Sequence, residues 1–313
     1  MSSTRESTSD EVAMPAEPAG RRRLALAGGL LRATRPRQWV KNVLVLAAPF
    51  AANRMFEREV LKDTLVSFVA FCLVASAVYL VNDAIDVAAD RAHPTKRNRP
   101  IAAGIVPIPL AYTVSAVLFL AAVGVSLLAG WPLVIVIVVY AAAQLGYCLG
   151  LKHQPVIDLC IVASGFLLRA IAGGVAAGIP LSQWFLLVTA FGSLFMVSGK
   201  RYAEIIYFER TGARIRASLT KYSASYLRFV WATSAAIMIT TYALWAFEIR
   251  QRVGSNSVWA VISIVPFVVA VLRYAVDVDG GNAGEPEDIA LRDRVLQILG
   301  VAWVACLALS VYL

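Results

Sequence analysis

The residues with the most distinctive chemistry lie at the end of an apolar segment, between positions 79 and 100. Asn82, Asp83, Asp86 and Asp90 follow one another at short intervals after Tyr79. In a helix that turns 100° per residue, Asn82, Asp86 and Asp90 lie about 40° apart, and Asp83 falls within about 20° of Asp90. Hard oxygen ligands without Cys or paired His suit Mg²⁺. The spacing therefore predicts a Mg²⁺ site made by Asn82 and the three carboxylates, with Tyr79 on the same arc.

A basic stretch follows these carboxylates directly. It contains His93 and four cations, namely Arg91, Lys96, Arg97 and Arg99. Cationic side chains next to a metal site favour a diphosphate ligand, because both neutralise phosphate oxygens. The alternative is a solvated helix end followed by an ordinary basic loop, which we disfavour because charges at the membrane edge are costly and usually functional.

Further charged residues are candidates for substrate binding. Lys41, Lys152, Lys200 and Arg201 fall at ends of apolar segments, and Glu204 follows closely. Topological anchoring is the alternative for the Lys200-Arg201 pair.

One apolar segment also contains Asp158 and Arg169, eleven residues apart. This spacing puts them within about 20° on one helix face, with Arg169 about 16 Å deeper. An intramembrane Arg is expected to face the bundle interior and to find an anionic partner. The sequence leaves two candidates for that partner, a substrate phosphate and a structural partner on another helix.

The elements that must position these residues are membrane-spanning helices. Hydrophobic residues make up 59% of the 313 residues and charged residues 16%, a balance that excludes a soluble enzyme, a disordered chain or a disulfide scaffold. About 20 apolar residues cross a bilayer as a helix. The sequence predicts an all-α bundle of nine spans, at 39–54, 64–86, 107–129, 131–150, 155–177, 182–199, 226–247, 256–276 and 295–313.

The basic residues predict how this bundle is oriented. Lys and Arg number 29 against 20 Asp and Glu, and every second connection is basic, which predicts a cytosolic N-terminus and an outward C-terminus. Residues 1–32 are expected to form a disordered cytosolic tail, and 33–313 the catalytic membrane domain. The acidic segment 277–294 has no functional interpretation at this stage. The expected partners are membrane lipids and phosphorylated substrates, not nucleic acid.

Two motifs resemble those of the UbiA superfamily of intramembrane prenyltransferases. Asn82-Asp-x-x-Asp86-x-x-x-Asp90-Arg91 followed by His93-Pro-x-Lys96-x-x-Arg99-Pro100 looks like its first aspartate-rich motif, and Arg35-Pro36-x-x-Trp39-x-Lys41-Asn42 looks like its opening segment. The resemblance implies a nine-helix plasma-membrane bundle with a cytosol-facing cavity open laterally to lipid. It also implies a Mg²⁺-dependent transferase.

The chain departs from that superfamily between Lys200 and Arg228. Aromatic prenyltransferases carry a second aspartate motif there, whereas this segment has no Asp and has seven cations against two anions. The Lys200-Arg201-x-x-Glu204 pattern resembles a subgroup that transfers 5-phosphoribosyl from 5-phospho-α-D-ribose 1-diphosphate (PRPP) to decaprenyl phosphate. That reaction releases diphosphate and forms a precursor of the arabinose donor for cell-wall arabinan. Three phosphate-bearing groups in one cavity need more fixed cations than one Mg²⁺ site supplies.

Two alternatives are kept. The nearest is a UbiA-type prenyltransferase that moves a polyprenyl group from its diphosphate onto an aromatic or haem acceptor. A transporter is the third, since intramembrane charges also mark ion pathways, but the charges cluster at one face of the predicted bundle. The sequence leaves the oligomeric state open, homo-oligomers included.

Overall fold

The computed structural model describes residues 19–212, 219–253, 258–281, 289 and 292–312, and every regular element among them is a helix. A 3-10 helix, Pro36–Leu46, follows the first α-helix, and shorter 3-10 turns join later ones. The α-helices are α1 (Ala19–Ala33), α2 (Ala47–Ala51), α3 (Arg58–Ile85), α4 (Val87–Ala92), α5 (Ile108–Ser126), α6 (Trp131–Leu149), α7 (Ile157–Ala176), α8 (Gln183–Thr211), α9 (Ala224–Val253), α10 (Val258–Ile262), α11 (Ile264–Asp279) and α12 (Arg294–Tyr312).

Six helical segments in the described residues are long and apolar enough to cross a membrane. They match the second, third, fourth, fifth, seventh and eighth predicted spans within a few residues, except that α3 begins six residues before its predicted span. The protein is therefore an all-α, polytopic membrane protein. The segments are Arg58–Ile85, Ile108–Ala129, Trp131–Leu149, Ile157–Ala176, Ala224–Ile249 and Val258–Asp279.

The remaining three predicted spans have a different character. The first is divided between the 3-10 helix Pro36–Leu46 and the five-residue α2, a region that contains Pro36 and Pro49, residues without a backbone N–H to donate. The sixth corresponds to α8, whose apolar part runs directly into Lys200 and Arg201. The ninth, Arg294–Ser310, is apolar but shorter than the six. The count of nine spans stays a prediction.

The disordered tail predicted for residues 1–32 is wrong from residue 19 onward. Residues 1–18 lie outside the described part of the chain, whereas Ala19–Ala33 forms α1. Leu26, Leu30 and Ala33 of α1 pack with a small core that also includes Ile101. Polar composition suggested disorder, but Leu26, Leu30 and Ala33 lie at helical spacing and are partly or fully buried by tertiary contact, whereas Leu24 and Leu31 remain exposed.

Helix α7 connects the two large hydrophobic cores. Its first half packs with α8 in a core that also contains residues of α9 and α11, and its second half packs with α3 and α6. The 3-10 helix also lies against it so closely that a Cβ on Gly173 would be 1.8 Å from the Val45 carbonyl oxygen. A glycine is required there because any side chain would push the 3-10 helix away. This contact positions Lys41 and Asn42, which lie on the 3-10 helix.

Candidate active site

The end of α3 brings two of the predicted carboxylates onto one guanidinium. Nη1 of Arg99 lies 3.0 Å from Oδ1 of Asp83 and 2.7 Å from Oδ2 of Asp90. Arg35 donates from Nη2 to the same Asp83 oxygen at 2.6 Å. Asp83 and Asp90 are both buried. Asp83 and Asp90 are therefore close together, as predicted, and share a cation. Helical backbone hydrogen bonds continue through Asp86, from its N–H to the Asn82 carbonyl at 2.9 Å and from the Asp90 N–H to the Asp86 carbonyl at 2.8 Å.

Asp86 faces a different partner. It caps α3, and its Oδ1 accepts a hydrogen bond from Nζ of Lys152 at 2.6 Å. The amide oxygen of Asn82 lies 3.5 Å from Sγ of Cys148, and the guanidinium of Arg35 stacks 4.7 Å from the ring centre of Tyr79. We call the set of three carboxylates and three cations the aspartate cluster; its members are Asp83, Asp86, Asp90, Arg35, Arg99 and Lys152.

The aspartate cluster fits Mg²⁺ in the type of its donors. Each carboxylate uses one oxygen for a cation, and no bond to its second oxygen occurs in the described part of the chain. These hard oxygens, with the Asn82 amide, are the donors that Mg²⁺ prefers. The carboxylates do not converge on one point, however: no three His, Cys, Asp or Glu side chains among the described residues form a metal-binding group. Asp83 and Asp90 share Arg99, whereas Asp86 pairs with Lys152.

A cavity of about 880 Å³ opens beside this cluster's end of the bundle. Apolar residues of α2, α7, α8, α9, α11 and α12 line most of it, including Phe166, Trp245 and Trp303. Its polar lining is concentrated in a group that we call the cavity mouth, made up of Lys41, Tyr147, Lys200, Arg201 and Glu204. The structure thus brings together four predicted binding residues, and Tyr147 is an addition that the sequence reasoning missed.

Asp158 does not line the cavity. It is 1% exposed, and its Oδ2 lies 3.6 Å from Nη2 of Arg201. Its other oxygen accepts a hydrogen bond from the hydroxyl of Tyr222. The expectation that Asp158 binds substrate stays a prediction, and its contacts among the described residues are with Arg201 and Tyr222.

Arg169 lies in the bundle interior as expected, but its partners are neutral. Its Nε donates to Oδ1 of Asn42 at 2.7 Å, Nη1 to the Gly165 carbonyl at 2.6 Å and Nη2 to the Tyr140 hydroxyl at 3.2 Å. The Phe71 ring also lies 5.4 Å from the guanidinium carbon. The anionic partner expected from the sequence is absent from the described residues, where carbonyl and hydroxyl oxygens and aromatic faces solvate the charge. Arg169 thereby holds the 3-10 helix against α7.

Other predicted residues are placed less specifically. Lys96 is half-buried in a short 3-10 turn between Asp90 and Arg99. The acidic segment 277–294, which had no interpretation, contributes ion pairs in its described part: Asp279 lies 2.9 Å from Arg228, and Asp293 lies 2.8 Å from Arg273. These pairs connect α11 to α9 and to the start of α12.

Sequence reasoning also missed the roles of Arg35 and Tyr222. Arg35 belongs to the opening motif, and nothing in that motif indicates a contact with Asp83, 48 residues away. Its backbone lies in the left-handed region, with φ 53°, which is uncommon outside glycine and marks a position worth inspecting. Tyr222 carries no signal in the sequence, because its partners come from a segment 64 to 66 residues away.

The two sites lie at one end of the bundle, connected by the segment between α6 and α7. Lys152 in this segment contacts Asp86, and the same segment contacts the residues before α9 through Val156 and His153. The fold and these sites define an α-helical membrane protein with a charged site next to an apolar cavity.

Comparison with known proteins identifies the family. Residues 43–292 match the model of the UbiA prenyltransferase family, and the chain belongs to it. The fold resembles that of a UbiA homolog from Archaeoglobus fulgidus bound to DMAPP and Mg²⁺, with a TM-score of 0.67 and 14% identity over 90% of this chain and 97% of that one.

Two relatives share most of the sequence. A decaprenyl-phosphate phosphoribosyltransferase from Mycobacterium tuberculosis is 61% identical over 91% of this chain and 95% of its own length. A protein of the same name from Corynebacterium glutamicum is 58% identical over 92% of this chain and 88% of its own length.

Proposed function

We propose that this protein transfers 5-phosphoribosyl from PRPP to decaprenyl phosphate or a similar polyprenyl phosphate and releases diphosphate. The observation that carries this proposal is the cationic cavity mouth, where Lys41, Lys200 and Arg201 surround one end of an apolar cavity. An apolar cavity with a cationic opening suits a lipid whose head group is an anion. The relatives named for this reaction, at 58–61% identity, support the same conclusion.

The donor is assigned to the aspartate cluster. PRPP carries a diphosphate and a 5-phosphate, and Arg35, Arg99 and Lys152 are within reach of carboxylates that would also hold Mg²⁺. Phosphate oxygens that take over these cations would release Asp83, Asp86 and Asp90 for the metal. When bound, Mg²⁺ would neutralise charge on the departing diphosphate. The binding of donor and metal is therefore expected to be mutually dependent.

The acceptor is assigned to the cavity mouth. Lys200 and Arg201 would hold the lipid phosphate, and the polyprenyl chain would occupy the apolar part of the cavity. A phosphate oxygen attacks C1 of the ribose while the bond from C1 to the diphosphate oxygen breaks, through an oxocarbenium-like centre. The nucleophile is already anionic, so the reaction needs no Ser or Cys nucleophile. Fixed cations on both sides hold the two substrates in line, and this proximity supplies much of the acceleration.

The membrane arrangement follows the basic connections. We assign nine spans, a cytosolic N-terminus, an outward C-terminus and an active site at the cytosolic face of the plasma membrane. Both sites lie at the end of the bundle where basic residues follow α3 and α6 and where α8 carries Lys200 and Arg201, which supports this orientation. A water-soluble donor would reach the aspartate cluster from the cytosol, and the lipid would enter from the bilayer.

Transfer of label tests the proposal. Purified protein in lipid vesicles receives PRPP labelled in the ribose together with a polyprenyl phosphate and Mg²⁺. We expect label in the lipid fraction and one diphosphate released per transfer, with both lost after chelation. Consumption of polyprenyl diphosphate with an aromatic acceptor, and no label in lipid, would instead establish prenyl transfer. Vesicles with the Asp86→Ala variant are the control for activity that depends on the cluster.

A further inference from the structure

The hydroxyl of Tyr222 contacts two residues at the beginning of α7, Val156 and Asp158. It donates to Oδ1 of Asp158, and it accepts a hydrogen bond from the backbone N–H of Val156 at 2.5 Å. Because the oxygen already accepts from Val156, the hydroxyl hydrogen is directed at the carboxylate. The Tyr222 ring is buried and stacks on Tyr226 with 5.8 Å between ring centres. The hydroxyl is therefore held in one orientation.

The backbone at Val156 is strained in a way that serves this contact. Its φ is 70° and its ψ is −49°, a conformation that a β-branched residue adopts at a cost of order 1–3 kcal/mol. In this conformation its N–H meets the Tyr222 oxygen. Such strain persists where the surrounding contacts over-determine it, and here the Tyr222 hydroxyl is one of those contacts.

Arg201 retains hydrogen-bonding capacity although it is buried. Its side chain is 6% exposed, and Nη1 has no hydrogen-bond partner among the described residues, although Oε2 of Glu204 lies 4.0 Å from it, beyond hydrogen-bond distance. Oδ2 of Asp158 likewise has no hydrogen bond, since Arg201 is 3.6 Å away. A buried guanidinium with an unused donor at a cavity is costly unless a ligand supplies an acceptor. The unused donor points to an anionic ligand.

We propose that Tyr222 is a positioning residue that keeps Asp158 from saturating Arg201, so that Arg201 stays available for the acceptor phosphate. With Oδ1 occupied by the hydroxyl, Asp158 can approach Arg201 through one oxygen. Without the hydroxyl, the carboxylate could turn and form a two-point contact with the guanidinium, the geometry that Arg and carboxylate prefer. This inference rests on the proposed function, because it needs a phosphate ligand at the cavity mouth.

The protonation of Tyr222 agrees with this role. Burial, and then the hydrogen bond to Asp158, raise the pKa of Tyr222 above its usual value. The phenol therefore remains a donor throughout the physiological pH range. A phenol that stays protonated can keep donating to the carboxylate, which agrees with a fixed orientation of Asp158.

The decisive variant is Tyr222→Phe, which removes the hydroxyl and keeps the ring. We expect the KM for polyprenyl phosphate to rise roughly tenfold, with kcat and the KM for PRPP nearly unchanged. Tyr226→Phe is the matched control, because it makes the same chemical change on the stacked neighbouring ring. Binding of a short-chain polyprenyl phosphate, measured by calorimetry without PRPP, should weaken by the same factor for Tyr222→Phe. Unchanged acceptor KM and binding would overturn the proposal.

A second substitution separates positioning from general damage. Asp158→Asn removes the charge that the two-point contact with Arg201 requires. When it is combined with Tyr222→Phe, the acceptor KM should be lower than that of Tyr222→Phe alone. A double variant that is as impaired as the single variant, or more so, would mean that the hydroxyl only supports the fold. Melting temperatures in detergent identify any unfolded variant. If the double variant is unfolded, the comparison of Tyr222→Phe with Tyr226→Phe alone tests the proposal. If wild-type protein transfers no label to lipid, the proposed function fails; if wild type is active and Tyr222→Phe equals it, this inference alone fails.

Discussion

The aspartate cluster and the cavity mouth differ in how their charges are balanced. In the aspartate cluster three carboxylates face three cations, and each carboxylate has a cation within 3.0 Å. In the cavity mouth three cations share the lining with one carboxylate, Glu204, and Asp158 lies 3.6 Å from Arg201. A balanced site favours a ligand that arrives with its own cation, and an excess of positive charge favours a bare anion. We therefore expect PRPP with Mg²⁺ to bind in the first region and lipid phosphate in the second.

The largest expected effect is in the aspartate cluster. Asp86→Ala removes a carboxylate expected to hold Mg²⁺ and leaves Lys152 without its partner. We expect kcat to fall roughly 10²- to 10³-fold and the response to Mg²⁺ concentration to flatten, with membrane insertion unchanged. Steady-state kinetics against Mg²⁺ measures both. Asp63→Ala near the opposite end of α3 is the control, and near-normal turnover of Asp86→Ala would contradict the metal assignment.

Lys200→Ala should affect the cavity mouth alone. Loss of one charge-assisted contact is expected to raise the KM for polyprenyl phosphate roughly tenfold, while the KM for PRPP stays within about twofold of wild type. Separate titrations of the two substrates provide the measurement. Arg210→Ala, further along α8 and exposed, is the matched control. Equal rises in both KM values would contradict the assignment of the two substrates to different regions. Unchanged kinetic constants would indicate that Lys200 serves only as a topological anchor.

Gly173→Ala tests the scaffold that both regions share. The added Cβ would lie 1.8 Å from the Val45 carbonyl oxygen, so the 3-10 helix must move, at an expected cost of about 1–3 kcal/mol of unfolding free energy. Thermal unfolding in detergent should show a lower melting temperature together with a higher acceptor KM. Gly124→Ala, where a Cβ meets nothing within 4 Å, should behave as wild type. A fully stable Gly173→Ala would show that the 3-10 helix is not held as described.

The smallest effect is expected outside both regions, at Asp293. Arg273 is the main cause that lowers the pKa of Asp293, and the backbone N–H groups of Leu296 and Val295 contribute. A lowered pKa means that the ionised form is favoured in the folded state. The contribution of ionised Asp293 to the stability of the folded state is therefore present above the ordinary carboxyl pKa and is lost as pH falls through the lowered pKa. Asp293→Asn should slightly lower the melting temperature at neutral pH and not in acid, with both KM values unchanged.

The parts of the fold that follow from local pattern were predictable. Long apolar runs identified six spans, because a bilayer requires about 20 apolar residues per helix. Helical spacing also anticipated that Asp83 and Asp90 lie close together. Local pattern failed at α1, where burial came from distant contacts, and at the first span, which the structure forms as a 3-10 helix followed by the short α2. It also gave Arg169 an anionic partner where the structure has neutral ones.

By itself the sequence determined the membrane class, the aspartate motif and the excess of cations between Lys200 and Arg228, because each depends on residue types at short spacing. The tertiary structure decided which cation meets which carboxylate and that Asp158 contacts Arg201 and Tyr222 while Lys41 lines the cavity. Those contacts join residues up to 66 positions apart. They depend on how α7 packs against its neighbours, and side-chain packing between helices is set by the whole bundle, not by the spacing along any one of them.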